Sequence, residues 1–239
     1  YAAGRTRGLP WFLLSARLVS LAGVGVLLHG WNSHQGTGAS VRAALPLAGI
    51  PLAADAQDAV HLIAAHGIAY LPLEAISPRA LDLLRLREVF GLRSCVNTVL
   101  RVANPAGAAA SVQGVFHPPY RDLQADACAL LRQPAMTVLK GAGGEFERHP
   151  SKEIALFGLR DGAAWQGAAP ALCDDTRRLA DADRDPADLA RLWDGVLDDP
   201  FARSIVTGTA ALALDTAGCA DADALAQDLW RRRHAARAA

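Results

Sequence analysis

Short apolar runs alternate with helical patterns over the first two thirds of this sequence, and this alternation constrains the fold more than any other feature. The apolar runs cover 25–28, 68–71, 111–116, 136–139 and 154–157, and the helical patterns cover 11–21, 41–48, 55–65, 77–90 and 120–131. Short apolar runs are typical of strands buried on both faces. Strands separated by helices predict an α/β fold with a mostly parallel central sheet flanked by helices.

The last third of the sequence has a different character. Residues 174–185 are acidic and rich in arginine, which predicts a solvated connector. Helices are expected over 187–196, 201–217 and 221–235, and the apolar stretch at 210–214 predicts that the middle helix is buried. Ser77-Pro78 and Asp185-Pro186 are each typical of a helix N-cap followed by proline. We therefore expect one α/β domain over 1–239 with C-terminal helices from residue 186.

Composition excludes several classes of protein. Lys+Arg and Asp+Glu both number 24, so the net charge is zero and a cation-coated nucleic-acid binder is disfavoured, although a local basic patch is not. The longest apolar stretch, 18–28, is too short to span a bilayer, and no cleavable signal pattern is present, so we expect no membrane association. Four widely spaced cysteines without a C-x-x-C pair argue against zinc and disulfides and favour the cytoplasm.

The first candidate site is the segment HGWNSHQGTGAS at 29–40, which follows a predicted strand and precedes a predicted helix. Ligands of open α/β sheets bind beyond the carboxyl ends of the strands. Glycines let backbone amides approach an anion, and hydroxyls and a helix N-terminus add to the attraction. The phosphate-binding candidates are His29, Gly30, Asn32, Gly36, Thr37, Gly38 and Ser40. The alternative is an ordinary glycine-rich turn, because G-x-G by itself is a weak signal.

The second candidate is the segment KGAGGEFE at 140–147, which also follows a predicted strand. Its carboxylates, Glu145 and Glu147, are spaced two residues apart. Such a pair can hold Mg²⁺ when waters and substrate phosphates complete the coordination. The alternative interpretation is a solvated acidic turn.

Two pairs of arginines are further anion-binding candidates. Arg87 and Arg93 flank Gly91 and could clamp a carboxylate or phosphate through bidentate hydrogen bonds. Arg5 and Arg7 lie between glycines and could contact a phosphate, including a nucleic-acid backbone. Surface arginines and a frayed terminus are the plainer explanations.

Several motifs then occur in one order over most of the chain. They are His-Gly at 29–30 with Asn32, R-x-x-x-G-x-R-x-x-x-N at 87–97, Asn-Pro at 104–105, G-V-F-H-P at 114–118 and A-A-L-A-L at 210–214. Together these motifs resemble the glycosyltransferase family 3 proteins, the family of anthranilate phosphoribosyltransferase. The resemblance implies a nucleoside phosphorylase/phosphoribosyltransferase-like α/β domain whose small N-terminal helical domain is largely missing here. It also implies phosphoribosyl pyrophosphate (PRPP), Mg²⁺ and transfer of ribose phosphate to an aromatic amine.

The sequence departs from that family at positions that matter for catalysis. The family's G-T-G-G-D pyrophosphate loop corresponds to residues 4–10, which contain arginines and no aspartate. The family's Asp-Glu metal pair falls at Phe146-Glu147, its His-Pro pair becomes Ser77-Pro78, and Trp31 interrupts its His-Gly-Asn segment. This pattern is most similar to the divergent YbiB-type paralogues, for which the resemblance implies DNA binding and homodimerisation.

Two functional hypotheses follow from the resemblance. In the first, the chain is a non-catalytic or weakly catalytic paralogue that binds nucleic acid or a phosphorylated ligand, with degraded PRPP and Mg²⁺ sites. In the second, it is an active Mg²⁺-dependent phosphoribosyltransferase. Arg87 would then hold the acceptor carboxylate, the 29–40 loop the phosphate, and Glu145 or Glu147 the metal. A cytoplasmic homodimer is also expected, formed through the N-terminal helical part that is largely missing here.

Overall fold

The computed structural model describes residues 8–31, 40–92, 94–179 and 184–234 of the chain. The helices in these residues are α1 Phe12–Ser20, α2 Val41–Ala48, α3 Ala56–His66, α4 Leu73–Ile76, α5 Pro78–Phe90, α6 Val96–Val102, α7 Tyr120–Leu130, α8 Asp188–Trp193, α9 Pro200–Thr216 and α10 Ala222–Arg232. The strands are β1 Val26–Gly30, β2 Ile68–Pro72, β3 Ala110–Val115, β4 Ala135–Lys140, β5 Ile154–Arg160 and β6 Ala163–Ala169. None of these helices is both long enough and apolar enough to cross a membrane.

The described strands form two sheets with helices packed against them. In the first sheet β1 pairs in parallel with β2. In the second, the order is β3-β4-β5-β6, where β3 and β4 are parallel but both β5 pairings are antiparallel. The predicted α/β class is therefore confirmed. The expectation of one mostly parallel central sheet was wrong for the last two strands.

A two-residue turn explains why β5 and β6 are antiparallel. Asp161 and Gly162 join the two strands and have φ values of 51° and 76°. Positive φ at both central residues is what a type I′ turn needs, and Asp-Gly is a preferred pair for it. Because two residues can connect only antiparallel neighbours, this turn determines the direction of β6. Strand β6 was not predicted from the sequence, because its segment AAWQGAA contains no run of large apolar residues.

One of the two predicted helix caps is present and the other is not. Ser77 Oγ accepts a hydrogen bond from the Ala80 amide at 3.2 Å, and α5 starts with proline as predicted. The Asp185-Pro186 pair does not start a helix, since α8 begins at Asp188. Asp185 instead accepts a hydrogen bond from the Ala187 amide at 2.9 Å, which closes a local turn ahead of the helix.

The main hydrophobic core forms where α1, α9 and α10 pack together, and α9 is buried along most of its length as predicted. Asp199 caps α9 by accepting hydrogen bonds from the amides of Phe201 and Ala202 at 3.1 and 3.2 Å. The same carboxylate pairs with Arg177 and Arg184 at 2.9 and 2.6 Å. The start of the central helix is therefore held by both a cap and ion pairs.

Helix α1 fixes the relative direction of the two sheets. Its first residue, Phe12, donates its amide to Glu147, shortly after β4 ends. Its last residue, Ser20, packs against Gly67, directly before β2 begins, where an added Cβ would lie 3.2 Å from Ser20 Cβ. The carboxyl ends of β2 and β4 therefore lie on the same side of the molecule. Through the parallel pairings, β1 and β3 end on that side too.

Candidate functional site

A cavity of about 180 Å³ lies between β1 and β3. Residues 24–29 form one wall, residues from 103 to 113 form the opposite wall, and side chains of α1 and α9 cover it. At the carboxyl ends of the strands, the lining includes His29, Arg101 and Phe146. The predicted loops after β1 and β4 therefore leave their strands beside one cavity.

His29 is buried, with 7% of its surface exposed, and it hydrogen-bonds the backbone at Ala103. Burial lowers the pKa of this imidazole to about 3, even though the Ala103 contact opposes the shift. The ring is consequently neutral at physiological pH. His29 can offer a hydrogen bond at the site but no positive charge.

Arg101, on α6, connects two backbone segments at the carboxyl ends of the strands. Its Nη1 donates to the carbonyl of Gly114 at 3.0 Å and also to the carbonyl of Gly144. The side chain thus joins the end of β3 to the loop after β4. The sequence analysis did not select Arg101, and the available signal was its position between Asn97 and the Asn-Pro motif.

The loop after β4 folds closely over the end of β3. A Cβ on Gly114 would lie 1.9 Å from the carbonyl oxygen of Glu145, and one on Gly141 would lie 2.0 Å from the same atom. Neither contact is sterically possible, and the obstructing atom belongs to the backbone. The glycines of the G-V-F-H-P and KGAGG segments are therefore needed for this close approach.

Both candidate metal ligands point into the protein. Glu145 and Glu147 are fully buried. Glu145 Oε1 accepts a hydrogen bond from the Gly143 amide at 3.1 Å, and Glu147 Oε2 accepts one from the Phe12 amide at 2.9 Å. The second contact places a carboxylate at the N-terminus of α1, where the helix dipole favours it. Between them, Phe146 packs in the core with Leu139 and its neighbours.

Both carboxylates are buried and hydrogen-bonded to backbone amides, whereas Mg²⁺ ligands usually share the ion with water. Magnesium needs oxygen ligands at about 2.0–2.1 Å in octahedral geometry, usually with several waters. Each of the two glutamates instead has a carboxylate oxygen committed to a backbone amide. Within the described ranges, no group of three or more His, Cys, Asp or Glu side chains is arranged to hold a metal.

Arg148 anchors the same loop to α9. Its side chain is 2% exposed, and its Nη2 donates to the Pro170 carbonyl at 2.5 Å. Its backbone amide donates to Thr209 Oγ1 at 3.1 Å, and a Cβ on Gly208 would lie 2.8 Å from its Cδ. Burial lowers the pKa of this guanidinium. The sequence analysis did not single out Arg148, although it directly follows Glu147.

The remaining candidate residues are placed as follows. Gly30 ends β1 and pairs with Pro72. Ser40 caps α2, where its Oγ accepts a hydrogen bond from the Ala43 amide at 3.2 Å. Arg87 is half-buried in the last turn of α5 and does not line the cavity. The candidates that lie outside the described residues are Arg5, Arg7, Asn32, Gly36, Thr37, Gly38 and Arg93.

Comparisons with known proteins agree with the predicted family. No family model matches the chain. The chain is 29% identical over 151 residues to an anthranilate phosphoribosyltransferase from Oleidesulfovibrio alaskensis. The match covers 62% of this chain and 45% of that protein. An anthranilate phosphoribosyltransferase structure from Thermus thermophilus superposes with a TM-score of 0.74 at 24% identity, covering 92% of this chain and 68% of that one. The chain is therefore similar in sequence and in fold to anthranilate phosphoribosyltransferases.

A second solved structure extends the likeness in fold. The Saccharomyces cerevisiae anthranilate phosphoribosyltransferase, in complex with PRPP and Mg, superposes with a TM-score of 0.75 at 12% identity, covering 98% of this chain and 71% of that one. The first curated relatives are matched over less than half of their length. For this anthranilate phosphoribosyltransferase-like chain, the fold and the family resemblance are therefore confirmed, and the closer relation to YbiB-type paralogues stays a prediction.

Proposed function

We propose that this chain binds a phosphorylated ligand at the carboxyl ends of β1 and β4 and catalyses phosphoribosyl transfer weakly or not at all. The ligand class is supported by the phosphoribosyltransferase-like fold and by the PRPP complex of the yeast relative. The loss of transfer is supported by one observation above the others. Glu147, the one glutamate retained from the family's metal pair, serves as the hydrogen-bond acceptor for the start of α1.

The role of Glu147 in α1 has a chemical consequence. Transfer from PRPP expels pyrophosphate, whose developing negative charge needs neutralisation by metal or by preorganised donors. Mg²⁺ bound at Oε2 of Glu147 would compete with the Phe12 amide for that oxygen and weaken the acceptor at a buried helix end. Losing a single charge-stabilising donor commonly lowers a rate by about 100-fold or more. Phe146 removes the second acidic ligand of the family's pair.

The neutral state of His29 limits the positive charge that the site can offer to a ligand. Because His29 supplies no charge, an anionic ligand would depend on backbone amides, on the dipole of α2 and on nearby arginines. The proposed ligand contacts are therefore residues of the 29–40 segment, from His29 to Ser40. The four widely spaced cysteines are the basis for proposing a cytoplasmic location.

Calorimetry with PRPP, in the presence and absence of Mg²⁺, tests the proposal. We expect one-to-one binding whose affinity changes little with Mg²⁺, and anthranilate turnover at least about 100-fold below ordinary enzyme rates. In Glu147→Gln, we expect reduced stability with unchanged PRPP affinity, and Glu153→Gln, at an exposed position, is the matched control. Mg²⁺-dependent tightening that Glu147→Gln abolishes would contradict the proposal.

An active Mg²⁺-dependent transferase is the second candidate, and the similarity to named anthranilate phosphoribosyltransferases favours it. In that case Arg87 would hold the acceptor carboxylate, so Arg87→Gln should raise KM for anthranilate about tenfold or more. Arg85→Gln, exposed on the same helix, should leave KM unchanged. Turnover of anthranilate at ordinary rates would establish this candidate.

Nucleic-acid binding, with homodimerisation, is the remaining expectation from the sequence. Titration of single-stranded DNA at two salt concentrations tests it, because phosphate contacts release counterions. Replacing Arg5 and Arg7 by alanine should weaken binding to all sequences and flatten the salt slope by up to about one unit per lost contact. Sedimentation measures the oligomeric state. Binding of neither DNA nor PRPP would refute the ligand-binding function.

A further inference from the structure

Strand β6 is the last strand of the four-stranded sheet, and among the described strands it pairs only with β5. The residues on either side of the two-residue turn, Arg160 and Ala163, lie opposite each other, and in a type I′ hairpin this is a hydrogen-bonded pair. In an antiparallel ladder, bonded and unbonded pairs alternate. The backbone amides and carbonyls of Ala164, Gln166 and Ala168 are therefore directed away from β5.

This outer edge of β6 is accessible, although the strand itself is firmly held. Ala164, Gln166 and Ala168 are all exposed, so no described element covers them. On the other face of the strand, Trp165 packs against the core cluster that includes Leu156 and Ala169. A rigid strand with an exposed edge offers a ready-made template for pairing with another chain.

The edge of β6 lacks the features that usually prevent such pairing. Edge strands commonly contain lysine, proline, an inward-pointing charge or a β-bulge. The segment AAWQGAA contains neither a charged residue nor a proline. Its register with β5 is also continuous, from the Arg160–Ala163 pair to the Ile154–Ala169 pair, and so contains no bulge. Pro170 directly follows the strand and limits any further pairing to 163–169.

The sequence of β6 is nearly palindromic about Gln166. Two alanines stand at each end, and the symmetry is broken only where Trp165 mirrors Gly167. In a symmetric dimer the same surface patch is used by both subunits, so two antiparallel copies of one strand place each residue opposite its mirror position. With the two-fold axis at Gln166, alanines lie opposite alanines and the one bulky side chain lies opposite glycine. The strand is therefore complementary to a second copy of itself.

The contact between Trp165 and Gly167 shows why glycine suits this arrangement. A Cβ on Gly167 would lie 2.7 Å from Cζ2 of Trp165, because the indole lies along its own strand above the glycine. Arg160 supports the ring from the neighbouring strand, with its guanidinium carbon 4.1 Å from the ring centroid. Directly opposite residues of paired strands are in side-chain contact. The absence of a side chain at position 167 therefore leaves room for the indole of a second copy.

We propose that β6 is a self-association edge, at which the β6 strands of two copies of this chain pair in antiparallel direction about Gln166. The two four-stranded sheets would then form one continuous sheet through about six new backbone hydrogen bonds. Because the contact uses the same edge of both copies, the assembly closes at a dimer. A single strand pair buries less than the about 1,200–2,000 Å² of a standard interface, so we expect a weak dimer with Kd between about 10 and 500 μM.

This edge is separate from the candidate ligand site, since no residue of β6 lines the cavity between β1 and β3. Dimerisation through β6 therefore does not depend on whether the chain binds a phosphorylated ligand. It is also separate from the N-terminal helical part through which the sequence analysis expected a homodimer. The tests below distinguish the two dimer surfaces.

The first test follows amide hydrogen exchange by NMR while the concentration of the 239-residue chain is raised. We expect exchange to slow several-fold at Ala164, Gln166 and Ala168 as the concentration passes Kd, because mass action populates the dimer. The amides of Trp165 and Gly167 face β5 in both states and serve as internal controls. Sedimentation velocity over the same concentrations should show the change from monomer to dimer.

Charged substitutions at Gln166 test the position of the two-fold axis. In Gln166→Lys or Gln166→Glu, like charges lie directly opposite each other, so each variant alone should have a Kd raised by about threefold or more at low ionic strength. An equimolar mixture of the two variants places opposite charges across the axis and should associate more tightly than either variant alone. Gln57→Lys makes the same change at an exposed position on α3 and should leave Kd unchanged.

Three results would overturn the proposal. The first is exchange at Ala164, Gln166 and Ala168 that does not depend on concentration up to about 1 mM. The second is a dimer whose Kd is unchanged by both Gln166 variants, since that would assign the contact to another surface. The third is a mixture of the Gln166 variants that associates no more tightly than each variant alone.

Discussion

The loop after β4 and the cavity between β1 and β3 meet at Arg101, but they differ in how fully their polar groups are buried and paired. In the loop, residues 145–148 are all buried, and their polar groups contact partners such as Gly143, Phe12 and Thr209. Around the cavity, the first three residues of both β1 and β3 are only half-buried, and Gln113 Oε1 has no hydrogen-bond partner among the described residues. The difference teaches that one wall of the candidate site is completed by contacts between distant segments, whereas the described residues leave the strands around the cavity partly uncovered.

The strongest test of the completed wall is Gly114→Ala. The added Cβ would lie 1.9 Å from the Glu145 carbonyl oxygen, and the loop backbone cannot move away without losing its buried contacts. We expect loss of the native fold, measured by urea unfolding and near-UV circular dichroism. The control is Gly107→Ala, where φ is +59° and nothing lies within 4 Å of the added atom, so the cost should be about 1–2 kcal/mol. Equal effects of the two variants would contradict the steric argument.

His29 lies where the two regions meet, and it predicts a pH dependence. The pKa of His29 is about 3 in the folded protein and about 6.5 for an ordinary histidine, so the unfolded chain binds the proton first as the pH falls. The stability contributed by the neutral ring is therefore complete above pH 6.5 and is lost progressively down to about pH 3. The loss amounts to about 4–5 kcal/mol at most.

His29→Gln should remove this pH dependence, as measured by urea unfolding at a series of pH values. His61→Gln, at an exposed position, is the control. A His29→Gln profile that parallels the wild-type profile between pH 6.5 and 3 would show that the imidazole is not held neutral.

Asp199→Ala tests how much the capped start of α9 contributes to stability. Helix α9 contacts the loop after β4 through the hydrogen bond between Thr209 and Arg148. The substitution removes a helix cap and leaves Arg177 and Arg184 without their shared carboxylate. We expect the free energy of unfolding to fall by about 2–4 kcal/mol. Asp198→Ala, at an exposed neighbour, should change it by less than about 0.5 kcal/mol.

The same carboxylate carries a pH dependence at lower pH. Burial opposes ionisation of Asp199, but hydrogen bonds from Arg177 and the Ala202 amide lower its pKa below the ordinary value of about 3.8. Its contribution to stability is therefore present above pH 3.8 and lost as the pH falls through the lowered folded pKa. Asp199→Asn should lack this final loss while keeping part of the cap.

The smallest expected effect is that of Glu147→Gln on stability. The amide side chain still offers an oxygen to Phe12, but the negative charge at the start of α1 is gone. We expect a loss of about 1 kcal/mol, measured by urea unfolding. A gain in stability would mean that the buried negative charge of Glu147 destabilises the folded protein, as expected of a carboxylate that serves ligand binding.

Much of the local structure follows from the sequence. The apolar runs at 25–28, 68–71 and 136–139 predicted β1, β2 and β4 within a few residues, and Ser77 was recognised as a cap. The hairpin of β5 and β6 also has a local signal, the Asp-Gly pair at 161–162, which was not used to predict it. Here the information was in the sequence and the interpretation was incomplete.

The candidate site was less accessible to sequence reasoning. Glu145 and Glu147 were expected to lie at an open metal site because carboxylates spaced two apart suit Mg²⁺. Their burial depends on the Phe12 amide, 135 residues away from Glu147. Arg101 gave no distinctive motif, because its function is to reach two carbonyls from separate segments.

The sequence by itself determined the α/β class, the family resemblance and most element boundaries, because apolar periodicity and capping act over a few neighbouring residues. Only the tertiary structure decided that Gly114 must lack a side chain, that Glu147 serves a helix end and that β1 and β3 belong to separate sheets among the described residues. Each of these depends on atoms brought together from distant parts of the chain. Steric contacts and hydrogen-bond partners of that kind have no local pattern, so they appear only once the chain is folded.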